Sequence, residues 1–171
     1  RQLQTVSRLL DRLLRGSGRT ADVWSVGEAI SRIADGEVAA DIGEACGHTV
    51  PFLGASDIVG MFTNVDRGEC LVALRTFLAE NWQYDRGGAA QKLKLKRKSV
   101  LWVGSDSRSD RGAWTASGIY GTVRRALALA CFSCGGVVKV QSNGLPLGHH
   151  LSAVLSRITV GHSEARNIGL R

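Results

Sequence analysis

Leu3, Val6, Leu9, Leu10, Leu13 and Leu14 recur at helical spacing with Arg and Gln between them. They predict a helix over 3–14 that Gly16-Ser-Gly18 ends. Asp22 is placed to cap a second helix carrying Val23, Val26, Ala29, Ile30 and Ile33, stopped near Gly36. The run from Val50 to Val59 contains Pro51 and Gly54, which argue against a long helix, so Leu53 to Val59 reads as a buried strand with one carboxylate, Asp57, inside it. Helical period returns over Arg67 to Trp82, with Cys70, Leu71, Leu74, Phe77, Leu78 and Trp82 as the apolar stripe. Asp66 and Glu69 sit at its start, where the helix dipole favours acids. Lys92-Leu-Lys-Leu-Lys-Arg-Lys98 then alternates with strand period, one face basic and the other apolar, and Val100 to Val103 continues it. After a polar loop, Ser117 is placed to cap a helix from Gly118 to about Cys134, terminated by Gly135-Gly136. Val137 to Gln141 reads as a short strand, Ser142-Asn-Gly144 as a turn, and about Leu151 to Val160 as a last helix. Helices and strands do not alternate regularly, which predicts an α+β fold rather than a doubly wound sheet.

The chain has 171 residues, 44% hydrophobic and 22% charged. That suffices for one packed core and argues against disorder. The longest apolar run, Ala126 to Phe132, is far short of the ~20 residues a membrane helix needs. The first fifteen residues alternate Leu with Arg, Gln and Asp, unlike a secretory signal, so an intracellular site, nuclear or cytoplasmic, is expected. The net charge of +7 is unevenly placed. Arg1 to Gln91 carries 9 basic and 12 acidic side chains, whereas Lys92 to Arg171 carries 13 and 3. A basic C-terminal half suits a polyanion, although charge alone also serves solubility.

Cys46, Cys70, Cys131 and Cys134 read as reduced thiols. Cys131-Phe-Ser-Cys134 has metal-ligand spacing and Cys46-Gly-His48 offers two more donors, but the apolar surroundings favour buried structural thiols. His149, His150 and His162 read as loop or surface residues. Trp24, Trp82, Trp102 and Trp114 read as core or interface residues, with Trp102 also able to stack on a base.

Two segments carry chemistry. A carboxylate in an apolar strand costs several kcal/mol unless paired or metal-bound. No cation lies near Asp57 in sequence before Arg67, so a metal at the strand end answers the electrostatic problem; a turn or cap role is the alternative. The second is Gln141-Ser-Asn-Gly144-Leu-Pro146-Leu-Gly148-His-His-Leu-Ser152, a rigid loop opening a helix, able to lie against a base pair or a phosphate, or to be only a tight turn.

Together, Asp57-x-x-x-x-Phe62 and Gly144-x-Pro146-x-Gly148-x-x-x-Ser152 resemble the first two palm motifs of reverse transcriptases, closest to the Penelope-like group. Asp57-Ile-Val-Gly-Met-Phe62-Thr-Asn-Val is similar to that group's D-V-x-x-x-F-T-N-I, and the likeness spans roughly residues 45 to 165. His149-His150 stand where the family has small or proline-type residues. The resemblance implies a right-hand palm with part of the fingers and an incomplete sheet, with residues 1–50 as a helical fingers-side segment and 51–171 as the partial palm. It implies Mg²⁺ held by Asp57 and the Ile58 carbonyl, a catalytic Asp57, and Phe62 as the ring that excludes a ribose 2′-hydroxyl. Gln141, Gly144, Pro146 and Gly148 would meet the incoming deoxynucleoside triphosphate. Lys92, Lys94, Lys96, Arg97, Lys98 and Ser152 would contact an RNA or DNA template-primer.

The family's third motif, an aromatic residue followed by paired aspartates, has no counterpart: Glu164 is the only acid after Ser152. Arg1 opens the sequence and Met61 is its only methionine. A fragment of a longer polypeptide is therefore expected, inactive alone for want of the second carboxylate source, and needing the remainder of its parent. A non-catalytic nucleic-acid-binding module using the basic half is the alternative.

Overall fold

The computed structural model describes residues 1–17, 61–97, 99–104, 112–146 and 148–168. The chain divides into two compact units, Arg1–Thr20 with Gly60–Arg171, and Ala21–Val59. The second unit lies outside the described residues, and with it the helix expected after Asp22 and the strand expected over Leu53 to Val59.

The first unit is an α+β assembly of five helices and five strands among the described residues. In chain order these are α1 (Gln2–Gly16), α2 (Met61–Asn64), α3 (Arg67–Asn81), β1 (Lys92–Leu95), β2 (Val100–Val103), β3 (Ala113–Trp114), α4 (Ala116–Ala128), β4 (Cys131–Cys134), β5 (Val137–Val140) and α5 (Ser152–Ile168). No described helix is long and apolar enough to cross a membrane.

The stripe that predicted α1 is its buried face: Val6, Leu9, Leu10, Leu13 and Leu14 pack toward α4, α5, β1 and β2. A stripe this apolar is not stable in water alone; among the described elements the ones it packs against most lie C-terminal to residue 90, and α1 belongs to the same compact unit as they do. Asp66 caps α3, its Oδ1 accepting from Glu69 N at 2.8 Å. The buried positions of α3 are Cys70, Ala73, Leu74, Phe77 and Leu78, and α3 packs against α5 and α4.

The basic ribbon is a hairpin rather than one continuous strand. β1 pairs antiparallel with β2 and β3 in the order β2-β1-β3. Lys96 N donates to Ser99 O at 2.9 Å and turns the chain where a straight continuation was expected. Leu93 stands opposite both Trp102 and Trp114, so the three share a face. Leu93 is fully buried, and the Trp102 ring meets Trp82 edge-on at 5.1 Å, which makes Trp102 a packing partner. Lys92 and Lys94 project to the opposite face.

The helix expected from Gly118 to about Cys134 starts earlier and stops sooner. Thr115, not Ser117, caps it, its Oγ1 accepting from Gly118 N at 3.0 Å. It ends at Ala128, and Cys131–Cys134 returns antiparallel against Val137–Val140. Gly135 and Gly136 have φ of +60° and +77°. Two positive-φ residues form the two-residue loop whose twist matches a hairpin; the glycine pair was read as a helix stop because a short apolar run has no period that separates helix from strand.

Candidate functional site

The described end of the Asp57 motif and the glycine turn meet directly. α2 carries Phe62, and α2 packs against α5. Phe62 O accepts a hydrogen bond from Leu145 N at 2.5 Å, across 83 residues of chain. Gly144 is buried with φ +72°, its α-carbon so close to the chain after Phe62 that a β-carbon would collide with Phe62 O and stand 2.6 Å from Thr63 O. Both the backbone conformation and the space demand glycine. Leu145, fully buried, anchors the turn in the core.

Arg67 fixes the same turn from the other side. Its Nε donates to Gly144 O at 2.8 Å and its Nη1 to Leu127 O at 2.9 Å. Leu127 lies in the last turn of α4, where carbonyls lack intrahelical donors and a cation is favoured by the dipole. One guanidinium thus ties the start of α3, the end of α4 and the glycine turn together. Its Nη2 is buried with no hydrogen-bond partner among the described residues. Sequence reasoning did not find Arg67. The signal was its place in the first turn of a helix, where a cation is disfavoured and needs a partner elsewhere.

The rest of the turn is closed by its own backbone. Gln141 N donates to Ala130 O at 2.9 Å, and its side-chain Nε2 donates to Asn143 O at 2.8 Å. Pro146 O accepts from His149 N at 3.2 Å and from Ser152 Oγ at 2.5 Å. Ser152 is buried, so its hydroxyl clasps the turn to α5 rather than facing a nucleic acid as the resemblance implied. Gly148, with φ +75°, is exposed and has open space where a β-carbon would stand. From α1, Ser7 Oγ donates to His150 O at 2.6 Å. His149 Nδ1 faces Leu151 N at 3.4 Å. Burial holds the His149 imidazole below its usual range, and the neighbouring His150 charge pushes the same way.

Asp57 and Ile58 lie outside the described residues, as do Cys46 and Lys98. Among the described residues no group of three His, Cys, Asp or Glu is arranged to hold a metal. The fit for Mg²⁺ therefore rests on donor chemistry: a carboxylate and a backbone carbonyl are the hard oxygen ligands that ion takes. Of the basic ribbon, Lys92 and Lys94 are half-buried on the sheet, while Lys96 and Arg97 are exposed at the turn.

Cys131 and Cys134 are exposed, not buried as their apolar neighbours suggested. Being three apart on a strand, they point to opposite faces with α-carbons about 10 Å apart. That geometry admits neither a disulfide between them nor a shared metal. Cys70 is fully buried, and burial raises its thiol above the usual range.

Comparison with protein-family models, with curated proteins and with solved structures finds no match for the chain.

Proposed function

We infer that the chain is the palm-and-fingers part of an RNA-directed DNA polymerase, a template-directed nucleotidyl transferase. The observation that carries the reading is the contact of Phe62 and Thr63 with Gly144 and Leu145. Two motifs separated by about half the sequence have no local reason to meet. A polymerase needs them together, because the residues after the metal-binding strand flank the sugar of the incoming nucleotide while the glycine turn lies against its base pair.

In this reading Asp57 and the Ile58 carbonyl hold Mg²⁺, which supplies a clamp on the attacking 3′-hydroxyl and the leaving pyrophosphate when bound. The chain's own residues do the positioning. Leu145 N–H fixes the Phe62 backbone, so the ring stands at a set distance from the turn and excludes a 2′-hydroxyl by bulk. Pro146 and Gly148, with Gln141 at the turn's base, present a smooth backbone to the nascent pair, and Gly144, buried against the Phe62 and Thr63 carbonyls, sets where that backbone stands. Arg67 and Ser152 keep that surface from shifting. The basic side chains neutralise template-primer phosphates.

The test is template-primer binding by fluorescence anisotropy with Mg²⁺ and each deoxynucleoside triphosphate. The cognate nucleotide should tighten binding, Asp57→Ala should abolish that gain, and Phe62→Ala should extend it to the matching ribonucleotide. Equal responses to all four nucleotides would refute the reading. They would leave the non-catalytic nucleic-acid-binding module, which the exposed Lys96 and Arg97 favour. Primer extension by the 171 residues alone should give no product, because the third motif's aspartates are missing from this sequence.

A further inference from the structure

We propose that the β1–β2 turn is a prearranged contact for the nucleic-acid phosphate backbone and that Arg12, on α1, is the residue that positions it. The proposal deepens the polymerase reading, on which it rests for its partner class, by naming where the polyanion lands.

Both terminal nitrogens of the Arg12 guanidinium donate to the turn's backbone. Nη1 donates to Lys96 O at 2.6 Å and to Ser99 O at 2.7 Å, and Nη2 donates to Arg97 O at 2.8 Å. With Lys96 N donating to Ser99 O, the turn is held by four hydrogen bonds, three of them charge-assisted. The pin uses carbonyls only, so it is indifferent to the side chains of the turn. Hairpin turns usually carry Gly, Asn or Asp, and an acid here would also answer the Arg12 charge. The sequence instead reads Lys96-Arg97-Lys98-Ser99. Lys96 and Arg97 are exposed, and no ion pair to an acid is formed by either among the described residues. Arg8, one helical turn before Arg12 and also exposed, extends the cluster along α1. The nearest acid on α1, Asp11, is taken by Arg15 at 3.3 Å and Arg157 at 3.5 Å.

Folding therefore explains the pin but not the charge. The cations of Lys96 and Arg97, exposed beside Arg12, repel one another in the free protein, and a polyanion relieves that repulsion while releasing its own counterions. Carbonyls already held by Arg12 limit the freedom lost on binding. Lys92 and Lys94, half-buried on the sheet, are secondary to the tip.

The experiment is a salt titration of duplex DNA binding by the 171-residue chain, without Mg²⁺ or nucleotide, using a fluorescein-labelled duplex. The Lys96→Ala/Arg97→Ala variant should keep the wild-type melting temperature and reduce the slope of log K against log salt by about 2. Arg12→Lys keeps the charge but loses the fork; it should bind more weakly with the slope unchanged. An unchanged slope in the double variant overturns the proposal. So does wild-type affinity in Arg12→Lys when its Lys96 amide, which donates to Ser99 O, exchanges faster. Phosphatidylserine vesicles are the control for a lipid surface: turn-dependent vesicle binding with turn-independent duplex binding overturns it as well. Turn-dependent binding that survives without any cognate-nucleotide response removes the polymerase reading alone, and the reverse pattern removes the turn alone.

Discussion

Two neighbouring stretches of this chain, the hairpin over 131–140 and the turn over 144–152, are built from the same local devices and reach opposite conditions. Both reverse the chain on glycines with positive φ. Every residue of the hairpin is exposed, including Phe132, Val137, Val138 and Val140. It is held by its own ladder and one closing bond from Gln141 N to Ala130 O. The turn buries Gly144, Leu145, Leu151 and Ser152 and is fastened from α1, α2 and α3 at once. The hairpin's conformation is thus local, and the turn's is imposed. A segment held to one position needs the second kind of construction, because precision comes from partners that cannot move independently.

The sharpest break of this comparison is a methyl group at each kind of glycine. Gly144→Ala meets both an unfavourable φ and the Phe62 and Thr63 carbonyls, and should cost about 4 kcal/mol in urea denaturation. Gly135→Ala, with the same sign of φ and nothing within 4 Å, should cost about 1 kcal/mol. Equal costs would mean that the turn relaxes as freely as the hairpin.

Arg67→Met comes next. It strands the Gly144 carbonyl, leaves Leu127 O with only the longer bond from Ala130 N at 3.4 Å, and should cost about 2 kcal/mol. Hydrogen exchange should then quicken at Leu145 N–H and stay unchanged at the amides paired between β4 and β5. Loss of protection in both places would make Arg67 a general stabiliser rather than a fastener of the turn.

Acid gives a milder contrast. The folded-state value of His149 is depressed, so the unfolded chain takes the proton first. Its share of stability is present above the usual histidine value of 6.5 and is lost as pH falls below that toward the folded-state value. Protonation also turns Nδ1 into a donor facing Leu151 N–H. Thermal melts between pH 7.5 and 5 should therefore fall less steeply for His149→Gln than for wild type. Parallel curves would assign the acid sensitivity elsewhere.

The smallest effect belongs to the thiols. Cys131 and Cys134 should react promptly with a thiol reagent in the native state, and replacing both with serine should change stability by less than about 0.5 kcal/mol. Cys70, buried with its thiol held up by desolvation, should react only on unfolding. Native reactivity at Cys70, or protection at the hairpin pair, would reverse the assignment of which region is covered.

Much of this molecule was legible one residue after another. Periodicity places α1 and α3 within one or two residues, and Asp66, read from the sequence as an acid favoured by the dipole at the start of α3, is its cap in the structure. The residues of the glycine turn stand out by type alone. The end of α4 and the direction of Cys131–Cys134 did not, since Ala126 to Phe132 suits a buried helix and a strand equally. The reversal after Leu95 was hidden because Lys96 to Ser99 contains no turn-forming glycine, asparagine or aspartate; Arg12, far away in sequence, supplies the donors that hold it.

By itself, the order of residues determined the helices with strong stripes, the α+β class, the basic half and the two motifs that suggest a polymerase, because each depends on neighbours a few positions apart. Only the tertiary structure decided that Phe62 meets Gly144, that Arg67 and Arg12 spend their charges on distant carbonyls, and that Ser152 faces inward. All but the last are contacts between segments some 60 to 90 residues apart, and hydrogen bonds to backbone carbonyls leave no mark on the identity of the residue that accepts them.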